Sequence, residues 1–213
     1  MHATQRYIPA LRFHCLTPFF DPLLSIFMRE EVFKRRLIVQ AGLRPGMHLL
    51  DVGCGTGTLV MMIKQAYPQV EVSGLDADPE ILAMAKKKVA RAGSDVNLDQ
   101  GMAYSLPYPG NFFDRVLSSM VMHHLTREDK IRTFREIHRV LRLEGELHLV
   151  DFGPPTHLYT RLSTMVLQQF EEVEDNINGK LAGFIRSAGF ALAIQNGHYD
   201  TLFGTLTFYK AIK

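Results

Sequence analysis

The chain has 213 residues, 46% hydrophobic and 22% charged, with 24 Lys and Arg against 22 Asp and Glu. That balance excludes a disordered chain and gives no basis for a nucleic-acid or polyanion partner. Its two cysteines, Cys15 and Cys54, are too few for a disulfide framework and lack zinc-ligand spacing, so a reducing, cytoplasmic setting with no metal site is the expectation.

Residues 1–45 read as a helical cap segment ahead of one domain spanning 46–213. Phe13 to Met28 is the most apolar stretch, but Pro18, Asp21 and Pro22 break it and no small-residue cleavage site follows, so neither a transmembrane helix nor a signal peptide is expected. From Pro22 to Ala41, Leu23, Ile26, Phe27, Phe33, Leu37 and Ile38 lie near one face of a helix that either covers a sheet or caps a ligand crevice. Met47 to Val52 is a short apolar strand that runs into Gly53. Thr58 to Tyr67 follows as a helix stopped by Pro68, and Val70 to Asp76 as a strand. Pro79 to Ala92 is a helix with Asp78 as N-cap, Pro79 in its first position and Gly93 just past its end. Val96 to Gly101 and Arg115 to Val121 are strands. Arg127 to Leu141 is a helix capped by Thr126, and Glu146 to Phe152 is the next strand. Phe190 to Asn196 and Gly204 to Ile212 are two strand-like runs with no helix between them. The alternation predicts an α/β, Rossmann-like doubly wound sheet, mostly parallel, with a terminal antiparallel β-hairpin.

The strongest local signal is Asp51-Val52-Gly53-Cys54-Gly55-Thr56-Gly57, between the first strand and a helix. Glycines let the backbone turn tightly and approach a ligand where a Cβ would stand in the way. Asp76 ends the second strand roughly 20 residues further on, where an acid in a doubly wound fold accepts hydrogen bonds from an adenosine ribose. The glycine spacing is G-x-G-x-G, with Thr58 where the dinucleotide fingerprint has its third glycine. Asp51 would repel a pyrophosphate and suits a ligand with a cationic end.

With those residues the chain resembles the class I S-adenosylmethionine-dependent methyltransferases. The resemblance continues in order through Gly74-Leu75-Asp76, Leu106-Pro107-Tyr108 with Phe112-Phe113-Asp114, Val121-Met122-His123-His124-Leu125, and Arg139-Val140-Leu141 with Gly145. It implies S-adenosyl-L-methionine as cofactor. Gly53, Gly55 and Gly57 would meet its aminoacyl and ribose part, Asp51 its ammonium, and Asp76 its ribose hydroxyls, with Ala77 beside the adenine. Where the family has an acid followed by Ala for the adenine amino group, this chain has Met102-Ala103, so Met102 packs on the ring. Asp99, three residues earlier, is poorly placed to replace the acid. Phe19-Phe20-Asp21 is similar to the Tyr-Asp element of ubiquinone/menaquinone-biosynthesis C-methyltransferases, with Phe in place of Tyr.

A sulfonium methyl is already an activated electrophile, so a base is needed only where the acceptor must shed a proton. His123, His124 and Asp151 are the candidates at the carboxyl ends of the fourth and fifth strands, and Tyr7 and His14 could reach the site from the amino-terminal segment. The alternative for the histidines is packing under the loop. Tyr7, Phe13, Phe19, Phe20, Tyr159 and Phe170 suit a small apolar or lipid-like acceptor, which leaves peripheral membrane contact open. Lys86-Lys87-Lys88 with Arg91 and Lys34-Arg35-Arg36 read as solvated helix faces. Glu171 to Asp175 reads as a helix end or loop, and Cys54 as a packing residue. The competing readings are a cofactor-binding protein that transfers nothing and an NAD-linked oxidoreductase.

Overall fold

In the computed structural model, which describes residues 30–167 and 172–213, β1 (His48–Val52) shows how the chain divides its core. Leu49 and Leu50 are both fully buried and belong to different hydrophobic clusters, because successive strand side chains point to opposite faces. Both faces are therefore covered, as a parallel sheet requires. After β1 come α2 (Thr58–Ala66), β2 (Glu71–Asp76), α3 (Pro79–Arg91), β3 (Val96–Gln100), β4 (Phe113–Ser119) and a 3-10 turn at Met122–His124. They are followed by α4 (Arg127–Val140), β5 (Leu141–Phe152), α5 (Leu158–Leu167), α6 (Glu174–Ile177), α7 (Leu181–Ser187), β6 (Leu192–Thr201) and β7 (Gly204–Ile212), with α1 (Glu30–Ala41) ahead of β1.

The seven strands lie in the order β3-β2-β1-β4-β5-β7-β6. The first five are parallel, and β7 runs antiparallel to both β5 and β6. The order reverses between β1 and β4, which opens a crevice at the carboxyl ends of those strands. The caps act as the sequence requires. Asp78 accepts from the amides of Glu80 and Ile81 at 2.8 and 3.2 Å, and Thr126 accepts from Asp129 N at 3.2 Å.

Three boundaries differ from the sequence reading, each for a local reason. β4 starts at Phe113, whose ring is buried in the core, and ends at Ser119, because Met120 takes a φ of 60° that turns the chain away. β5 begins at Leu141, where α4 runs straight into it. The pairing jumps from Phe113↔Leu141 to Arg115↔Glu146, and the extra residues form a bulge with Glu144 at φ 61°. β6 continues through His198 to Thr201, since a register slip between Gln195 and His198 absorbs Gly197. The hairpin connection is thus Leu202-Phe203, and the Gly/His/Asp stretch belongs to the strand.

Helix α1 lies over the sheet, the first of the two placements its periodicity allowed. Phe33, Leu37, Ile38 and Ala41 are buried, Gln40 Nε2 donates to Tyr209 O at 2.9 Å, and Arg36 donates to the carbonyls of His198 and Asn196. Arg36 also sits 4.4 Å from the centroid of the Phe208 ring. Residues 22–29 of the expected helix lie outside the described residues.

Candidate active site

The bend after β1 is held by backbone. Gly53 and Cys54 both donate to Leu75 O, at 2.7 and 2.9 Å, which folds the loop back onto the end of β2. Gly53, Gly55 and Gly57 all have positive φ, at 74°, 56° and 78°. At Gly53 a Cβ would lie 2.3 Å from Val121 Cγ2, so the loop following β4 closes against a position that admits only glycine. The amides of Gly53, Cys54, Gly55 and Gly57 already have acceptors within the protein. Gly57 packs on Ala85, and only Gly55 has open space where a Cβ would lie, so what the bend offers a ligand is the bare Cα surface of Gly55 rather than donors.

Asp76 is tied into that bend. Its Oδ2 accepts from Gly55 N at 2.8 Å and its Oδ1 from Asp78 N at 3.0 Å, with the Ala77 amide a further donor, and a carboxylate so engaged still has acceptor capacity for a hydroxyl. Burial raises its pKa from the ordinary carboxylate value, against the pull of the Asp78 and Gly55 amides. Asp51 is more extreme. It is 1% exposed, and its Oδ1 is buried with no hydrogen-bond partner. Burial pushes its pKa up to about 7; the charge of Lys34 pulls it down and that of Asp76 pushes it further up. An unpartnered acceptor in this position costs free energy unless a donor arrives, and an ammonium group is the complementary one.

Two cations that the sequence reading placed in solvent belong to this neighbourhood. Lys34 is buried on α1, ion-paired with Glu30 one turn earlier. Lys88 turns onto the glycine loop and donates to Thr58 Oγ1 at 3.2 Å and Thr56 Oγ1 at 3.5 Å. Burial, together with the charge of Lys34, lowers its pKa. The periodicity of α3 puts Lys88 on its polar side, and only the close packing of Gly57 on Ala85 brings that side to the loop.

Ala77, Met102 and Ala103 are all half-buried beyond β2 and β3. Asp99 accepts from Tyr108 OH at 2.9 Å, which keeps it from standing in for the missing acid at position 102. Cys54 is buried, and burial beside Asp51 and Asp76 drives its thiol pKa far above the usual range, which removes nucleophilic character.

The histidine pair sits across the crevice. Asp151, at the end of β5, is fully buried and collects five donors. Oδ2 accepts from Val121 N and Met122 N at 3.0 and 2.7 Å; Oδ1 meets His123 Nδ1 at 2.8 Å, Asn176 Nδ2 at 2.9 Å and its neighbour's amide, Phe152 N, at 2.8 Å. Burial raises the Asp151 pKa, but His123 and the amides outweigh it and hold the carboxyl below its ordinary value. Because an ionised Asp151 only accepts, His123 carries its proton on Nδ1 and presents the lone pair on Nε2. The His123 ring is 5% exposed, 3.9 Å from the His124 centroid and edge-on to Phe152 at 5.0 Å. His124 is half-buried beside it.

A family model described as a methyltransferase domain matches residues 49–145, from β1 to the bulge of β5. The chain is 32% identical over 139 residues to a demethylmenaquinone methyltransferase of Symbiobacterium thermophilum, covering 64% of this chain and 55% of that one. It is 30% identical over 150 residues to a ubiquinone/menaquinone biosynthesis C-methyltransferase of Pseudoalteromonas translucida, covering 68% and 59%. The chain therefore spans under two thirds of the length of these relatives. In fold it is similar to a phosphoethanolamine N-methyltransferase of Haemonchus contortus, with a TM-score of 0.69 at 16% identity over 84% of this chain and 52% of that one.

The fold brings together Asp51, Gly53, Gly55, Gly57, Asp76 and Ala77 on one side of the crevice, and His123, His124 and Asp151 on the other. Among the described residues no cluster of metal-ligating side chains occurs, and no helix is long and apolar enough to cross a membrane. Tyr7, His14, Cys15, Phe13, Phe19, Phe20 and Phe170 lie outside the described residues; Tyr159 is exposed on α5. The acidic stretch supplies no open charge at Asp175, which is engaged by Arg127 and Lys180. Sequence reasoning missed Lys34, Lys88 and Asn176. Only Lys34 had a signal, a cation one turn after an acid on an otherwise apolar helix face.

Proposed function

We propose that the protein transfers a methyl group from S-adenosylmethionine, in line, to a small apolar acceptor of the hydroquinone class, and that His123 receives the acceptor's proton. The observation that carries this reading is the pair of acids at the glycine bend: Asp51 with a buried oxygen lacking any partner, and Asp76 clasping the loop through Gly55 N with acceptor capacity to spare. The residues fit the cofactor. Asp51 accepts from an ammonium, Asp76 from ribose hydroxyls, the open face of Gly55 admits the chain between them, and Ala77, Met102 and Ala103 pack on a purine. When bound, the cofactor supplies a methyl group on a positively charged sulfur. Asp51 under the loop also disfavours the pyrophosphate that an NAD-linked reading requires.

The acceptor class rests on the relatives, whose names give demethylmenaquinone and quinone biosynthesis as their chemistry. A naphthalenediol ring attacked at carbon must lose a proton, and a positioned base contributes about 10²–10⁴-fold to such a step. His123 has the geometry: Nδ1 fixed by Asp151, Nε2 bearing the lone pair, and a buried ring screened from bulk water. Asp151 holds the ring and the turn and stays ionised. Leu158, Tyr159 and Leu162, 49–75% exposed on α5, give the same side of the molecule an apolar surface where a lipid-soluble acceptor could be taken from a membrane.

The test is a tritiated-methyl transfer assay with anaerobic 1,4-naphthalenediol as acceptor, alongside calorimetric titration with S-adenosylhomocysteine. Label in the extracted diol, with saturable homocysteine-adduct binding, is expected. Binding without label overturns the acceptor class; absence of binding overturns the methyltransferase reading itself.

A further inference from the structure

Asn176 is fully buried in the one-turn helix α6, 25 residues after Asp151, and its side chain is aimed at that carboxylate. Its Nδ2 donates to Asp151 Oδ1 at 2.9 Å, the same oxygen that holds His123 Nδ1 at 2.8 Å. Its own Oδ1 is buried with no partner. The amide orientation is forced, because an amide oxygen facing the carboxylate would be repelled. A leucine of similar size would fill the same space and leave no orphaned acceptor, so packing alone does not account for an asparagine here.

The segment around Asn176 is latched to the helix that follows the histidines. Asp175 takes a two-pronged hold from Arg127, at 2.9 and 2.5 Å, and a third bond from Lys180 at 3.1 Å. Lys130, 1% exposed on α4, donates to Glu172 O at 2.5 Å. The stretch after α5 is thereby fixed to the first turns of α4 and, through Asn176, to the carboxylate that orients His123.

We propose that Asn176 is a positioning residue for His123: it shares Asp151 Oδ1 with the imidazole, sets the plane of the carboxylate, and so ties the angle of His123 to the segment that flanks the acceptor side of the crevice. This rests on the methyltransferase reading for its kinetic consequence but not for its structural one. Asn176 draws charge density from Oδ1. Without it the Asp151 carboxylate loses the bond that fixes its plane, and the His123 ring loses its fixed orientation and its uniform Nδ1–H tautomer. The charged and titratable groups facing this cluster are His124 beside the ring, Lys130 and Arg127 from α4, Asp175 from α6 and Tyr209 from β7.

The variant that isolates the effect is Asn176→Leu, which removes the bond and the orphaned oxygen together. The expected results are an unfolding midpoint no lower than the parent's and S-adenosylhomocysteine affinity within about twofold. The His123 imidazole nitrogen signals, followed by NMR and assigned with H123N, should move from those of a single Nδ1–H tautomer toward an average of the two. With the 1,4-naphthalenediol probe, kcat should fall about tenfold with KM unchanged. A folded N176L with unchanged His123 nitrogen signals overturns the proposal. Should N176L fail to fold, Asn176→Ser, too short to reach Asp151, gives the same readout on the same terms. The NMR measurement needs no acceptor. If the diol is never methylated, the functional reading fails while the test of Asn176 stands on the His123 signal alone.

Discussion

The two walls of the crevice are built differently. The β1–β2 wall is made of backbone: three glycines at positive φ, two amides on one carbonyl, and an acid that clasps the loop. The wall beyond β4 and β5 is organised around one side chain, Asp151, on which the Val121 and Met122 amides and the His123 and Asn176 side chains converge from distant sequence. A cofactor common to many enzymes can be held by a short contiguous motif, because its shape does not vary. An acceptor that differs between enzymes is met by parts that can change one at a time.

That contrast breaks first at Gly53, where the largest effect is expected. Gly53→Ala combines a strained left-handed backbone with a methyl 2.3 Å from Val121 Cγ2. We expect a loss of about 2–4 kcal/mol in unfolding free energy by urea denaturation, and no detectable S-adenosylhomocysteine binding. Because Val121 belongs to the opposite wall, Val121→Ala in the G53A background should restore part of both. An additive double mutant would mean that the two walls do not meet there.

Next comes Asp76→Ala. It removes the clasp on Gly55 N and the acceptor available to a ribose, so cofactor affinity should weaken by about 2–4 kcal/mol, since hydrogen bonds to a charged group contribute roughly 1.5–3 each and are not additive. Asp76→Asn keeps one acceptor oxygen and should fall in between. Calorimetric affinities equal to the parent's would take the ribose role away from this residue.

The same division explains what was readable in advance. The mostly parallel sheet, the antiparallel end and the caps at Asp78 and Thr126 follow from periodicity and local polar chemistry, which a linear sequence carries directly. The glycine bend was legible because its φ angles exclude other residues. Gly197 inside β6 was not, since a glycine absorbed by a register slip looks in sequence like one in a turn. Lys88 looked like a solvated lysine because three consecutive lysines share its helix, and its contact with Thr56 and Thr58 depends on how α3 packs against the loop. Asn176 sits in a run of acids, and nothing local distinguishes it from a loop asparagine; its partner is fixed only once β5 and α6 are folded together.

The smallest of these effects is also the most informative about charge. Asp51 has its pKa raised from 3.8 to about 7 in the folded protein. A carboxyl that is harder to ionise folded than unfolded opposes folding as pH rises from about 4 to about 7, and by the full amount above that. Asp51→Asn should therefore stabilise the ligand-free protein near neutral pH, by on the order of 2 kcal/mol once the lost attraction to Lys34 is allowed for. The sign reverses for the ligand. An ammonium prefers the ionised carboxylate, so binding of S-adenosylhomocysteine should release a proton below about pH 7, and affinity should climb with pH up to that point. At higher pH it should fall again as the ligand's own α-amino group, more basic than a chain terminus because its α-carboxylate stabilises the ammonium, loses its charge. Calorimetry in buffers of different ionisation enthalpy counts the proton directly. Asp51→Asn should abolish the acidic limb while leaving the alkaline one, because only the latter belongs to the ligand. An acidic limb that survives the substitution would place the titrating group elsewhere, with Asp76 the next carboxyl in the same bend.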